Sequence, residues 1–422
     1  MQPALVSPDP TPETRIGRLR QRIIDAPQAV CVERACYLTR AMKKHWNREP
    51  LTRMSLALEE ILENISVIIR EDERIVGCRT SKLKGAPLFP ENKARWLEGD
   101  VENFDRREVQ RALITEAEKK ELLEMILPFW QERCVEASFE VALPEDVTAD
   151  MDKYIFTFML EITYGIGHFT MNHARVLKQG LTGIMADARE KLTALAPEDR
   201  QGAKGLFYDA VIRSMVAAVT FAHRYADRAL ELALEENDRN RVAELEQIAA
   251  VCRRVPEHPA ETFHEAVQAL YFIHLVTQIE SGGNSVSLGR IDQILWPYYE
   301  ADLAAGRIAP GQARELLAML FLKTNEIWNV LEEAYIPGGE GTEGKTTQNV
   351  VVGGMDREGR DATNALSTLA LEAYAQVRTV QPNFGVRLCA DTPELFFARA
   401  VNYAKDGVLL HFFNDEQIVE SL

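Results

Sequence analysis

Positive charge is scarce in this sequence. Over 422 residues, 48 Lys and Arg stand against 64 Asp and Glu, a formal net charge of −16. That balance argues against a nucleic-acid or anionic-membrane partner, because nothing offsets phosphate repulsion. Long apolar runs are missing too: Met215-Val216-Ala217-Ala218-Val219 and Leu316 to Leu322 fall far short of the roughly 18 residues of a bilayer span. The six cysteines (Cys31, Cys36, Cys78, Cys134, Cys252, Cys389) are scattered, and the Cys31/Cys36 C-x4-C pair has no second pair to close a zinc site. They read as small buried hydrophobes of a reducing cytoplasm. No basic stretch followed by an apolar one opens the chain. Residues 1–14, with Pro3, Pro8, Pro10 and Pro12, read as a disordered lead-in rather than a signal peptide. What is present is ordinary globular composition, 46% hydrophobic and 27% charged, with ample apolar surface for a large core.

The first two-thirds predicts helices. Leu51 to Arg70 sets Met54, Leu58, Ile61, Ile65 and Ile69 on one stripe. Thr115-Glu116-Ala117-Glu118 and Thr262-Phe263-His264-Glu265 are capping boxes. The first opens a helix toward Trp130; the second opens a run apolar almost all round, hence buried. Gly202 to Glu236 predicts one long helix or a broken pair. After Gln278 the texture changes to short β-prone runs between helices. Strands are expected at Ser285–Leu288, Asn349–Val352, Asn383–Leu388 and Val408–Phe413. Helices are expected at Pro310–Val330, Ala362–Ala375 and Pro393–Lys405. Strands alternating with helices imply an α/β layer arrangement with polar loops at strand ends.

Several clusters invite a chemical reading. Gly339-Glu340-Gly341-Thr342-Glu343-Gly344-Lys345-Thr346 matches the phosphate-cradle pattern G-x-x-x-x-G-K-[ST]. Its context is reversed, with a helix before and a strand after, so a glycine-rich surface loop is favoured over a nucleotide site. His168 and His173 are spaced H-x4-H without the Glu or third ligand that zinc wants. In Tyr164-Gly165-Ile166-Gly167-His168 the glycines allow backbone to approach a ligand, so His168 is either a ligand-facing or a hydrogen-bonded structural histidine. Glu280 to Arg290 (ESGGNSVSLGR) offers amides and hydroxyls to a cavity, or is a sharp turn bonding its own backbone. Arg290 and Asp292 are expected to pair and hold that loop. Asn414-Asp415-Glu416 reads as helix capping.

The order and separation of these segments carry a resemblance. Gly165-Ile166-Gly167-His168 with Lys178-Gln179-Gly180-Leu181 is the first of them. The block Ser285-Val286-Ser287-Leu288-Gly289-Arg290-Ile291-Asp292-Gln293, then Trp296-Pro297-Tyr298-Tyr299, is the second. Gln348 to Gly354, Gly359 to Asn364, Gln381 to Arg387 and Phe413-Asn414-Asp415-Glu416 complete the set. From about Arg15 onward the chain resembles the pyruvate formate-lyase/diol dehydratase branch of the glycyl radical enzymes. The resemblance implies an α/β fold, a helical shell leading into an incomplete α/β barrel over residues 15–422, mostly helical to about residue 278. It implies a lyase or dehydratase acting on a small polar substrate through a thiyl radical, or a formate acetyltransferase-like acyl transferase. A glycyl radical, installed by an activating enzyme that uses S-adenosylmethionine and an iron–sulfur cluster, would generate that thiyl on a cysteine in a G-C-V/I-E motif.

None of the six cysteines has that motif; Val76-Gly77-Cys78-Arg79 lacks the acid and comes too early. Family spacing puts both radical residues past Asn414, so the catalytic residues are expected outside this sequence. The chain then reads as an N-terminal portion, inactive alone, or as a noncatalytic remnant or half-subunit. A homodimer or a C-terminal half is the expected macromolecular partner, beside the activating enzyme. By resemblance His168 holds a substrate hydroxyl and Ser285 bonds the other. Asn284 stands where diol dehydratases usually have histidine, and Leu160 falls near where they keep asparagine. Asn284 can still donate and accept, so the resemblance implies a polar substrate other than glycerol or propane-1,2-diol.

Overall fold

The computed structural model describes residue 11 and residues 13–152, 165–332 and 346–421. Three helices and a strand open the chain: α1 (Arg15–Asp25), β1 (Gln28–Cys31), α2 (Glu33–His45) and α3 (Pro50–Asn64). Strand β2 (Lys84–Pro87) pairs parallel with β1. Long helices α4 (His173–Ala194), α5 (Ala203–Glu235), α6 (Arg239–Arg254) and α7 (Phe263–Glu280) follow. The rest alternates: β3 (Gly289–Arg290), α8 (Pro310–Thr324), β4 (Asn349–Gly353), α9 (Ala365–Val377), β5 (Asn383–Leu388), α10 (Glu394–Lys405), β6 (Leu410–Asn414) and α11 (Asp415–Ser421). The four later strands form one sheet in the order β3-β4-β5-β6, every pair parallel. A helical layer leading into a parallel strand–helix sheet is the α/β arrangement the sequence implies.

The expected stripe of Leu51 to Arg70 stops short, because α3 ends at Asn64 and Ile65 is extended. Two interactions hold that end. Glu33 accepts both the Ser66 N–H (3.0 Å) and the Ser66 hydroxyl (2.7 Å). Arg224, on α5, donates to the carbonyls of Leu62 and Ile65. The β-branched run that follows gains little from staying helical. Near Trp130 the Thr115 capping box forms, but Leu122–Ile126 widens to a π-turn. Pro128 stands two residues beyond and has no N–H for the regular α ladder.

Helix α5 is one unbroken helix, and by length and composition alone it could cross a bilayer. It packs against α3, α4, α6 and α7, within the helical layer. Helix α7 is buried on nearly every side and opens with the expected capping box. The strands at Asn383–Leu388 and near Asn349 fall where expected. The first is displaced: Ser285–Leu288 is not a ladder strand, and the paired residues are Gly289–Arg290, just after the Leu288 N–H that donates to the Asn349 carbonyl. Expected helices Pro310–Val330 and Ala362–Ala375 become Pro310–Thr324 and Ala365–Val377.

Arg290 and Asp292 do not pair with each other. Each grips the end of β4 instead. Arg290 donates to the carbonyls of Gly353 and Met355. Asp292 accepts from the Gly353 N–H and the Ser367 hydroxyl. Asp415 is likewise more than a helix cap: fully buried, it takes a two-pronged ion pair from Arg387 and the Met355 N–H. Parallel strands thus end in a buried polar lattice that fixes their relative height.

Candidate functional site

The site begins where α7 stops. Arg34 on α2 is 2% exposed and donates to the carbonyls of Ile279 and Glu280, the last residues of that helix. Its remaining N–H groups reach the Leu88 carbonyl and the Glu91 carboxylate, and its plane lies 3.9 Å from the centre of the Phe89 ring. A rigid planar fork is suited to this task. It aims the chain into the loop from Ser281 to Leu288.

That loop runs against the segment 165–170, more than a hundred residues earlier. The His168 N–H donates to the Asn284 carbonyl at 2.8 Å, and the Ser287 N–H to the Phe169 carbonyl at 2.9 Å. The Ser281 hydroxyl donates to the Ile166 carbonyl. Two glycines permit this approach. A Cβ at Gly167 would lie 2.1 Å from the Asn284 oxygen, and one at Gly283 would lie 1.7 Å from the Ile166 oxygen. We therefore expect Gly283→Ala to separate the two segments and cost about 2 kcal/mol. Chemical denaturation measures that loss, and a change below ~0.5 kcal/mol would show that the contact is soft.

The structure sets the His168 backbone against Asn284, the neighbour of Ser285. His168 and Ser285 both take left-handed backbone at φ 58°, a conformation non-glycine residues adopt at a cost. The His168 ring and the Ser285 hydroxyl make no hydrogen bond among the described residues. The Asn284 carboxamide oxygen accepts the Ser285 N–H at 3.0 Å, leaving its NH2 group to donate. The Ser285 N–H is shared with the Thr346 carbonyl, the one residue of the glycine-rich 339–346 loop that is described. Gly339–Lys345 and Leu160 lie outside the described residues.

Sequence reasoning missed a polar row beside these residues. The Asn349 NH2 donates to the Ser287 hydroxyl at 3.2 Å, and the Asn383 NH2 donates to the Asn349 side-chain oxygen at 3.2 Å. Asn349 and Asn383 are register partners that open β4 and β5, on the face opposite buried Val350 and Phe384. Part of the signal was available: Asn349 is the one polar side chain of β4 and stands at its head.

A second missed feature lies behind the loop. Buried His274 meets the Gln348 side-chain oxygen at 2.7 Å, and Gln348 donates to the Thr324 carbonyl. His173 is buried with neither ring nitrogen hydrogen-bonded among the described residues. Burial drives its pKa down to about 3, with His274 adding to the effect, and drives His274 down to about 4. His168 is exposed and His173 is buried. Among the described residues no three His, Cys, Asp or Glu side chains gather as metal ligands. Burial raises the thiols of Cys31, Cys36, Cys78 and Cys252, which keeps them protonated and poorly nucleophilic.

Comparison with known proteins gives the family and the fold. The pyruvate formate lyase-like family model matches residues 9–422. (2S)-3-Sulfopropanediol dehydratase of Klebsiella oxytoca is 32% identical over 94% of this chain and 49% of its own length. Isethionate sulfite-lyase of Nitratidesulfovibrio vulgaris is 34% identical over 92% of this chain and 48% of its own. The glycerol-bound B12-independent glycerol dehydratase from Clostridium butyricum superposes with a TM-score of 0.91 at 34% identity, covering 97% of this chain and 52% of that one. The chain spans about half the length of these relatives. With residues 9–422 matched, the loops converging and the barrel strands in order, this chain belongs to the pyruvate formate lyase-like family, among the glycyl radical enzymes.

Proposed function

We propose that this chain is the N-terminal part of a cytoplasmic glycyl radical lyase or dehydratase, one pyruvate formate-lyase-like domain over residues 15–422. His168, Asn284 and Ser285 wall its substrate cavity. The observation that carries this reading is the meeting of the two loops, His168 N–H to Asn284 carbonyl at 2.8 Å, with the His168 ring and Ser285 hydroxyl left to bind something else. A ring that both donates and accepts, a hydroxyl and an amide NH2 suit a substrate with two neighbouring polar groups.

The relatives' names support cleavage of a C–O or C–S bond in such a substrate: one is a sulfopropanediol dehydratase, another an isethionate sulfite-lyase. The reacting radical groups belong to the further length those relatives have. A glycyl radical set by an S-adenosylmethionine/iron–sulfur activating enzyme supplies hydrogen-atom abstraction there. This chain's residues bind and orient the substrate and keep water out of the wall. Strand β6 supports the division. It ends the sheet with Phe412 at 41% and Phe413 at 40% exposure, an edge that calls for a covering segment.

The test joins this chain to a polypeptide supplying the second half, activates the assembly anaerobically, and offers isethionate, 3-sulfopropanediol, glycerol and 4-hydroxyproline. The expected result is a glycyl radical signal and consumption of at least one of them. No consumption of any polar substrate at full radical yield would contradict the reading.

A further inference from the structure

The C-terminal end of α2 inverts the charge balance of the chain. From Arg40 to Arg53 the sequence carries five Lys or Arg residues and His45 against one acid, Glu49, in a chain whose net charge is −16. Two half-buried rings, Trp46 and Phe129, gather three cations. Arg53 lies 4.4 Å and Arg133 5.9 Å from the Trp46 ring centre, while Arg133 and Lys43 lie 5.0 Å and 5.9 Å from that of Phe129. The rings meet edge to face with their centres 5.4 Å apart. Lys44 and Arg48 extend the patch past His45: desolvation, with Lys44, Arg48 and Arg213 adding to it, holds the His45 pKa below the ordinary histidine range.

Lys43, Lys44, Arg48 and Arg133 are exposed, and none of them, nor Arg53, forms an ion pair among the described residues. Lys43, Arg53 and Arg133 donate only to backbone carbonyls, those of Met125, Trp46 and Phe129. Glu49 and Glu132, beside Arg48 and Arg133 in sequence, pair with neither. Arg213 is set apart by its own pair with Glu59 at 3.8 Å. The helix macrodipole favours Lys43 and Lys44 in the last turn of α2, but it gives no reason for Arg48, Arg53 and Arg133. Like charges held this close repel one another, and an anion laid against them relieves that. A guanidinium resting on a ring is also oriented in advance for a carboxylate, and Trp and Arg are the side chains that anchor protein interfaces.

We propose that this patch docks an acidic segment of a partner protein, its carboxylates on Lys44, Arg48, Arg53 and Arg133. Charge complementarity sets the occupant. A nucleic acid is a uniform polyanion that would run off the patch onto an acidic chain. Cations already lie against the two rings on which a base would have to stack. A short acidic segment engages the patch and ends with it. No residue of the patch belongs to the loops that carry His168, Asn284 and Ser285.

Fluorescence anisotropy on the full chain tests this with two labelled probes, a decaglutamate peptide and a ten-residue oligothymidylate. Decaglutamate is expected to saturate below about 100 µM in about 50 mM salt, and to weaken at least ten-fold in about 300 mM salt. The oligothymidylate is expected to bind more than three-fold less tightly. Lys44→Glu combined with Arg48→Glu should weaken decaglutamate at least ten-fold, and Arg133→Glu tests the same point from the other segment. Lys405→Glu, at an exposed cation on α10, should leave it within about two-fold. An unchanged melting temperature in each variant separates lost binding from lost folding. Oligothymidylate binding within three-fold of decaglutamate, or tighter, overturns the proposal. So does undiminished decaglutamate binding by both patch variants, or no saturable binding at all. Self-association that the double variant abolishes, with decaglutamate unbound, assigns the face to a second copy and overturns it too.

Discussion

Lowering the pH from 6.5 to 5.0 is expected to cost this chain about 4 kcal/mol of folding stability, chiefly through three buried histidines. His173, His264 and His274 are held neutral by burial, with pKa values down to about 3, about 4 and about 4. In the unfolded chain each would titrate near 6.5. The sign follows from proton counting. Between those limits the unfolded state binds protons that the folded state declines, so stability is complete above about pH 6.5 and falls as the pH drops toward the folded values. Each histidine contributes about 1.4 kcal/mol per pH unit once the unfolded form is mostly protonated.

Asp292 and Glu280, pushed up by burial, act the other way, because their folded forms take up protons early. They temper the loss without reversing it. His264 isolates one contribution: it lies on α7 with one ring nitrogen against the Arg74 carbonyl, apart from the site loops. Urea denaturation across this range should show the loss, and His264→Gln should remove about a third of it. A pH-independent stability would mean that these rings carry protons in the folded state.

Arg34→Met is expected to cost about 3–5 kcal/mol, the range for breaking a buried ion pair by removing one partner. The substitution fills similar space but strands the Glu91 carboxylate, itself largely buried, and the carbonyls of Leu88, Ile279 and Glu280. Arg34→Lys keeps the charge and loses the fork, so about half the loss should remain. Because the clamp sits at the last turn of α7, the site loop should loosen first, seen as faster amide exchange at Ser285 and Ser287. A cost below ~1 kcal/mol for the methionine variant would place Arg34 among ordinary surface pairs.

Much of this was legible beforehand, and the failures are instructive. Helix α7 was readable because an apolar run with a capping box has few alternatives. The strands at 349 and 383 were readable as β-branched or aromatic runs between helices. Helix α3 overran because periodicity continues through Ile65 and Ile69 while its end is set by Glu33 and Arg224, both distant in sequence. Arg290 and Asp292 were expected to meet because they are two residues apart. Both turn instead to Gly353, a partner only the fold supplies. His168 and Ser285 were named from resemblance, and local sequence left each open between site and structure. What joins them, Gly167 against Asn284 and Gly283 against Ile166, is a long-range approach that no local pattern announces. Asn349 was readable as a polar residue heading an apolar strand, but its alignment with Ser287 and Asn383 exists only across strands.

The central claim is that two distant loops build one substrate wall. A double-mutant cycle of His168→Ala and Ser285→Ala, read as kcat/KM in the assembled, activated enzyme at matched radical yield, tests it most directly. Each single variant should lose at least about 100-fold, and the double variant far less than the product of the two losses, because both side chains hold the same substrate. Single variants within about three-fold of the parent, or two losses that multiply fully, would contradict it.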